Sequence, residues 1–151
     1  TRHLVTKVVD VVRAHQLEPR TLLHSFDWDL LAECQRQAPD LPTSFLTQLP
    51  ENEEEEGEAS SLSVGPDLTS PQVSVPDMVH DAGGFLWCPY VHDVTRSDVE
   101  RARELGLCVV VWTVNDPEDI LRMIDMHVDA IVSDYPGRVQ RLLADHGLNW
   151  A

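Results

Sequence analysis

Val-Val-Val-Trp-Thr-Val-Asn-Asp, residues 109–116, is the stretch that decides the fold of this chain. Its β-branched run predicts a strand at about 108–114 that is buried on both faces, as in a parallel sheet covered by helices. Side chains alternate along a strand, so Trp112 is expected to share a face with Val110 and Val114. A large indole where a buried strand ends raises the question of what that side chain contacts.

Predicted strands and helices alternate along the rest of the chain. Mostly apolar runs predict strands, in chain order, at residues 21–26, 42–46, 85–88, 108–114 and 130–133. Helical patterns lie at residues 2–15, 28–37, 97–105, 117–126 and about 136–147. Strands that alternate with helices imply right-handed β-α-β crossovers, so the predicted fold class is α/β, with parallel strands covered by helices.

Residues with short polar side chains are expected to fix where these helices begin. Asp27 is a good N-cap for the second predicted helix. The third has two candidate capping boxes, one starting at Thr95 and the other at Ser97. Either Asn115 or Asp116 is expected to cap the fourth, in which Pro117 occupies the first position.

The composition argues against two classes of function. The 151 residues include 26 acidic and 11 basic ones, and the net charge of −15 argues against a basic surface that binds nucleic acid. No apolar run approaches the roughly 18 residues of a membrane-spanning helix. The length favours one domain, and we expect a soluble protein.

Residues 48–76 differ in character from the rest, being rich in Glu, Ser, Pro and Gly. Six of the acidic residues lie within residues 51–58. Such a segment buries too little apolar surface to offset the entropy lost on ordering, so we predict a disordered acidic insertion at about 48–76. A docking site for a basic partner and a solvated loop remain the two alternatives for it.

Cysteine and histidine spacing gives no metal site. The three cysteines are widely spaced and form no C-x-x-C pair, which favours free thiols in a reducing, cytoplasmic compartment. The seven histidines form neither H-E-x-x-H nor H-x-H. His80, in a predicted loop, is interpreted as an exposed or hydrogen-bonded residue. The first residue, Thr1, is compatible with a fragment of a longer chain.

Three motifs occur in a recognisable order: LLHSFDWDLL at 22–31, VVVWTVNDPED at 109–119 and VDAIVSDYPGRV at 128–139. The chain resembles the C-terminal half of a glycerophosphodiester phosphodiesterase, of bacterial type, and FLWCPYVHDVTRSDVERARELGL at 85–107 extends the resemblance. It implies a (β/α)8 TIM barrel of the phospholipase-C-like phosphodiesterase type. We expect residues 1–151 to form one partial domain, with about the last four of the eight β/α units.

The resemblance implies hydrolysis of glycerophosphodiesters to glycerol 3-phosphate and an alcohol. It also implies a divalent cation, Mg²⁺ or Ca²⁺, held by carboxylates, with histidines as general acid and base. The His-Arg-Gly, Glu-x-Asp and Glu-x-Lys motifs that carry these groups in the family do not occur in this chain. We therefore assign it no catalytic residue and no metal ligand, and expect it to be inactive by itself.

Trp112 and Phe26 are the two candidate substrate-binding residues. Both lie at the carboxyl ends of predicted strands, where a barrel opens its active site, and the resemblance makes them an apolar wall beside the substrate. The alternative is that both rings fill the barrel core. Ser25 and Asn115 are interpreted as turn and cap residues, and Asp134 as an acceptor for backbone amides. His127 stands where the family has glycine, at a helix end that requires positive φ.

A second function remains open from the sequence. A sheet cut from a barrel exposes its edges and its inner face, so self-association of the half-barrel is expected. The chain would then be a non-catalytic interaction or assembly module.

Overall fold

The computed structural model describes residues 1–49, 66–68 and 74–149. In these ranges the strands are β1 (Leu23–Ser25), β2 (Thr43–Thr47), β3 (Leu86–Pro89), β4 (Cys108–Val111) and β5 (Ala130–Ile131). The helices are α1 (Arg2–Ala14), α2 (Trp28–Gln37), α3 (Val75–Asp81), α4 (Arg96–Glu104), α5 (Pro117–Met126) and α6 (Pro136–Asp145). A single 3-10 turn, Glu18–Arg20, precedes β1.

The five strands form one parallel sheet in the order β1-β2-β3-β4-β5. All their carboxyl ends therefore lie along one edge, as the alternation of strands and helices predicts. The predicted α/β class with parallel strands is confirmed. The sheet has one strand more than the four β/α units expected from the motifs.

The main core lies between the sheet and the helices that follow the strands. Val109 and Val111 of β4 are 1% and 0% exposed and join Phe45, Ile120 and Met123 in one apolar cluster. Val110, between the two buried valines, is only partly buried, as is Trp112 beyond them. The predicted alternation is thus confirmed for Val110 and Trp112, which share the face turned away from the helices.

The prediction that Val114 shares the face of Trp112 is wrong. Val132 donates its N–H to the carbonyl of Val111 and accepts from the N–H of Val114. Those two partners are three positions apart, one more than in a regular parallel ladder, so residues 112–113 contain a β-bulge. The extra residue reverses the alternation, and Val114 returns to the helix-side core with 0% exposure.

A second apolar cluster joins α1 to α2. Val5, Val9 and Val12 of α1 pack with residues that include Cys34 and Ala38. Beside these residues, three further apolar side chains of α1, spaced about one helical turn apart, form a strip that is exposed to solvent. Its members are Leu4, Val8 and Val11, which are 57%, 40% and 58% exposed.

Helix α3 was missed by the sequence analysis, which placed its residues partly in the insertion and partly in a loop. Ser74 caps it through the N–H of Asp77, and Val79 is 0% exposed. The guanidinium of Arg101 on α4 binds the carboxylate of Asp77, with an Nη2–Oδ1 distance of 2.6 Å. The insertion therefore cannot extend to residue 76, and most of its predicted range lies outside the described residues.

The cap alternatives are resolved by hydrogen bonds. Asp27 accepts from the N–H of Leu30, as predicted. The capping box of α4 is the one that starts at Thr95, and the cap of α5 is Asp116. His127 follows α5 with φ 59°, so the positive φ expected at this position is confirmed.

Candidate functional site

An aromatic cluster lies at the carboxyl edge of the sheet. Phe26 follows β1, Tyr90 follows β3, and Trp112 follows β4. The ring centroids of Tyr90 and Trp112 are 5.3 Å apart, and those of Phe26 and Trp112 are 5.6 Å apart. The two predicted site residues are therefore in contact, with Trp112 in the middle of the three rings.

The contact between Phe26 and Trp112 shows that the sheet is curved. Two strands separate β1 from β4, and three strand spacings in a flat sheet would amount to about 14 Å. The two rings nevertheless meet edge to face, at an interplanar angle of 82°. The sheet therefore curls toward its inner face, as the wall of a barrel does.

The indole of Trp112 is held in one orientation. Its Nε1–H donates to the carbonyl oxygen of Cys88 on the neighbouring strand, at 2.9 Å. Because the polar atom of the ring is bound internally, the rest of the indole can offer only apolar surface to a ligand. Phe26 beside it is 41% exposed, whereas Tyr90, which also contacts Trp112, is 4% exposed.

Tyr90 belongs to the aromatic cluster and His92 adjoins it, and the sequence analysis singled out neither. The two rings pack edge to face, with centroids 5.3 Å apart. The predicted strand ended at Cys88, so both residues were assigned to the following loop. The backbone pairing of Tyr90 with Trp112 was the missing signal, since it continues the ladder past that point.

A polar network links the loops after β4 and β5. The Asn115 amide donates to the carboxylate of Asp134 at 2.8 Å, and its oxygen accepts from the Ser133 hydroxyl and the Asp134 N–H. The expectation that Asp134 accepts from backbone amides finds no support in these bonds, because its carboxylate is bound to a side chain. Arg138 donates to the carbonyl of Asn115 and lies over the ring of Tyr135.

Ser25 and Arg122, two more polar residues at this edge, also have structural partners. Ser25 accepts from the N–H of Asp27 at 3.0 Å, so its predicted role in a turn is confirmed. Arg122 of α5 donates to the carbonyls of Val91 and Val94, which fixes the loop after β3. These hydrogen bonds order the edge of the sheet.

Acid–base chemistry by the thiols is not favoured. Burial raises the pKa of Cys88 to about 12 and also raises the pKa values of Cys34 and Cys108. All three are free thiols, which stay protonated and unreactive at neutral pH. Burial lowers the pKa of His24, which is hydrogen-bonded to Ser44 on the inner face of the sheet.

Neither a metal centre nor a membrane span is found in the part of the chain that the structure describes. Across residues 1–49, 66–68 and 74–149, no three His, Cys, Asp or Glu side chains are grouped so that they could hold a metal ion. His80 lies on α3, is half exposed and contacts Asp81. Among these same residues, no helix is long and apolar enough to cross a membrane.

Comparison with known proteins assigns the fold to a family. A sequence profile of the Glycerophosphoryl diester phosphodiesterase family matches residues 1–138. A candidate glycerophosphoryl diester phosphodiesterase from Silicibacter pomeroyi is 53% identical, with a TM-score of 0.88 over 99% of this chain and 46% of that one. A glycerophosphodiester phosphodiesterase from Parabacteroides distasonis is 28% identical, with a TM-score of 0.72 over 97% and 52%.

Among sequence relatives, the uncharacterised protein YqiK of Bacillus subtilis is 28% identical over 137 residues, which are 91% of this chain. The chain spans about half the length of the curated relatives it matches, 49% in each of two cases. The family generally depends on a divalent metal. The chain therefore belongs to the glycerophosphoryl diester phosphodiesterase family, and it corresponds to the C-terminal half of that family's domain.

Proposed function

We propose that this chain forms the C-terminal part of a barrel that hydrolyses glycerophosphodiesters to glycerol 3-phosphate and an alcohol. In this proposal Phe26 and Trp112 form an apolar wall beside the glycerol and alcohol groups of the substrate. The observation that carries it is the contact of these two rings at the carboxyl edge of the sheet, where barrels of this type bind their substrates.

The proposal treats residues 1–151 as one partial domain with five of the eight strands of a barrel. The open strip of Leu4, Val8 and Val11 on α1 supports it, because a preceding β/α unit would cover such a strip. The strands β1 and β5, which lie at the edges of the sheet, would be the two seams at which the remaining three strands close the barrel.

The divalent cation, Mg²⁺ or Ca²⁺ in our proposal, does not fit the described residues, since they contain no suitable group of ligands. Its ligands, and the histidines that move protons, would belong to the complementary part of the barrel. The chain's own residues would bind and orient the substrate, and would exclude water from one side of it. We accordingly propose that the isolated chain does not hydrolyse glycerophosphocholine.

A chimera tests the substrate wall directly. The segment of the Silicibacter pomeroyi relative that matches this chain, 46% of that protein, is replaced by this chain. Glycerophosphocholine hydrolysis is then measured with Mg²⁺ or Ca²⁺. Losing the apolar contact of one indole, about 1.5–3 kcal/mol, should lower kcat/KM of the Trp112→Ala chimera by at least about tenfold.

Trp28→Ala is the matched control, because Trp28 packs against Phe45 on the helix side of the sheet. It should destabilise the chimera without a specific change in KM for the folded fraction. An unchanged kcat/KM in the Trp112→Ala chimera would contradict the wall. A second decisive outcome is hydrolysis of glycerophosphocholine by the isolated chain that a substitution within the chain abolishes. That result would contradict the proposal that the catalytic groups belong to the complementary part of the barrel.

The alternative, a non-catalytic module that self-associates, is favoured by one observation. Phe26 and Val132 at the mouth, and Leu22 before β1, are 41%, 46% and 39% exposed, so the inner side of the sheet keeps open apolar surface. Two copies would however contribute ten strands, whereas this type of barrel closes with eight. Sedimentation velocity separates the two functions: a monomer with a cooperative thermal transition counts against the module.

We also propose a cytoplasmic location. Cys34 and Cys88 are buried and unpaired, and Cys108 is free as well, which suits a reducing compartment. Quantifying free thiols in protein isolated from its native host tests this, because a disulfide on any of the three would contradict it.

A further inference from the structure

The turn after β3 is held by hydrogen bonds from three different elements. The N–H of Val91 donates to the carbonyl of Trp112 at 2.7 Å, and Arg122 of α5 donates to the carbonyl of Val91 at 2.8 Å. The carboxylate of Asp93 accepts from the N–H of Leu49, after β2, at 2.6 Å. The backbone on both sides of residue 92 is therefore fixed relative to the aromatic cluster.

His92 is the side chain that this fixed turn presents to solvent. Its ring is exposed and packs edge to face against Tyr90, which in turn contacts Trp112. Within residues 1–49, 66–68 and 74–149 the imidazole makes no ion pair and no hydrogen bond. Ring packing leaves both nitrogens able to exchange hydrogen bonds with a ligand.

Two arginines that reach the same edge, Arg122 and Arg138, already have hydrogen-bond partners within the protein. Arg122 donates to two loop carbonyls and to Asp119. Arg138 donates to the carbonyl of Asn115 and stacks on Tyr135. The wall formed by Phe26 and Trp112 offers apolar surface, and His92 adds beside it, among the described residues, a polar donor that is open to an anionic oxygen.

We propose that His92 is a substrate-binding residue, whose imidazole donates a hydrogen bond to a non-bridging phosphoryl oxygen of a ligand seated on the Phe26–Trp112 wall. This inference rests on the proposed function and adds to it a named contact with the phosphate. Tyr90 acts as a positioning residue, since its buried ring sets the orientation of the imidazole.

Nuclear magnetic resonance on the chain itself tests the contact without requiring catalysis. The probes are inorganic phosphate and glycerol 3-phosphate, added at constant pH and ionic strength. We expect saturable shifts of the His92 imidazole and the Trp112 indole. A hydrogen bond to a charged group is worth roughly 1.5 kcal/mol or more. His92→Phe keeps a ring against Tyr90 but has no donor, so it should weaken binding, followed at Trp112, by about tenfold.

His80→Phe is the matched control, because His80 is a half-exposed histidine on α3 that contacts Asp81. It should leave the affinity unchanged. Shifts at His92 that do not saturate, or that equal those at His80, would overturn the proposal, as would unchanged binding by the His92→Phe chain. No shift at either reporter would also overturn it.

The two proposals can fail separately. If the Trp112→Ala chimera keeps its kcat/KM while His92 binds phosphate saturably, the apolar wall is wrong and the phosphate contact stands. If the wall is supported and the His92→Phe chain binds phosphate as the unsubstituted chain does, the His92 contact alone is wrong.

Discussion

Phe45 and Phe26 lie on two regions of the same sheet that are built differently. Phe45, on the helix side, is 1% exposed and packs against Trp28, whereas Phe26, at the carboxyl edge, is 41% exposed and packs against Trp112. The helix side is ordered by apolar burial. The carboxyl edge is ordered by hydrogen bonds and ring contacts around an apolar surface that stays accessible.

The largest effect should come from truncating these two phenylalanines in turn. Phe45→Ala leaves a cavity in the core and should lower the free energy of unfolding by about 3–5 kcal/mol. Phe26→Ala loses mainly one edge-to-face contact and should cost about 0.5–1.5 kcal/mol. Urea denaturation followed by circular dichroism measures both, and equal losses would remove the distinction between the two regions.

The next effect concerns the hydrogen bonds at the carboxyl edge. Asn115→Ala removes the bridge from the loop after β4 to Ser133 and Asp134, and should cost about 1–3 kcal/mol. The neighbouring Thr113→Ala is the control and should change stability by less than about 0.5 kcal/mol. If both substitutions were neutral in urea denaturation, hydrogen bonds would not be what orders this edge.

A smaller and opposite effect is expected at the end of α5. His127 has φ 59°, and relieving that strain in His127→Gly should stabilise the chain by about 1 kcal/mol. Gly106 ends α4 with φ 75° and has no neighbour within 4 Å of an added Cβ. Gly106→His should therefore lose a similar amount, and the two urea midpoints should move in opposite directions.

The smallest effect should be electrostatic and confined to the helix side. Hydrogen bonds from Arg101, and then from Ser74, lower the pKa of Asp77 to about 2 from its usual 3.8. The stabilisation from a lowered pKa is complete above the unfolded value and is lost as pH falls through the folded value. The stability difference between the unsubstituted chain and Asp77→Asn should shrink as pH falls from about 4 to about 2.

Urea midpoints measured across that pH range give the difference. Glu33, whose pKa is also lowered to about 2 by bonds from Arg36 and Gln37, is present in both proteins and so does not contribute to it. A difference that stays constant down to pH 2 would show that Asp77 contributes through packing.

Much of this fold follows from local sequence. Apolar runs predicted all five strands, and Asp27 and Thr95 fixed the starts of their helices through bonds that each makes within three residues. Trp112 and Phe26 were singled out from their place at strand ends together with the family resemblance of the motifs that contain them. Such features depend on neighbours along the chain, which a sequence displays directly.

Other features depend on partners far along the chain. Helix α3 has seven residues, too few for a clear period, and depends on Val79 in the core and on Arg101 from α4. The contact of Phe26 with Trp112 requires the curvature of the whole sheet. Tyr90 and His92 lie at the aromatic cluster because the backbone of Tyr90 pairs with that of Trp112, beyond the end of the predicted strand.

The bulge at residues 112–113 places two neighbouring side chains of one strand on opposite faces of the sheet. Without the extra residue, the side chains of Trp112 and Val114 would lie on the same face of the sheet. A substitution at position 112 would then also alter the packing around Val114. With it, position 112 faces the mouth while Val114 lies under the helices. A substitution at position 112 therefore changes the surface of the mouth without changing the side chain that packs against the helices.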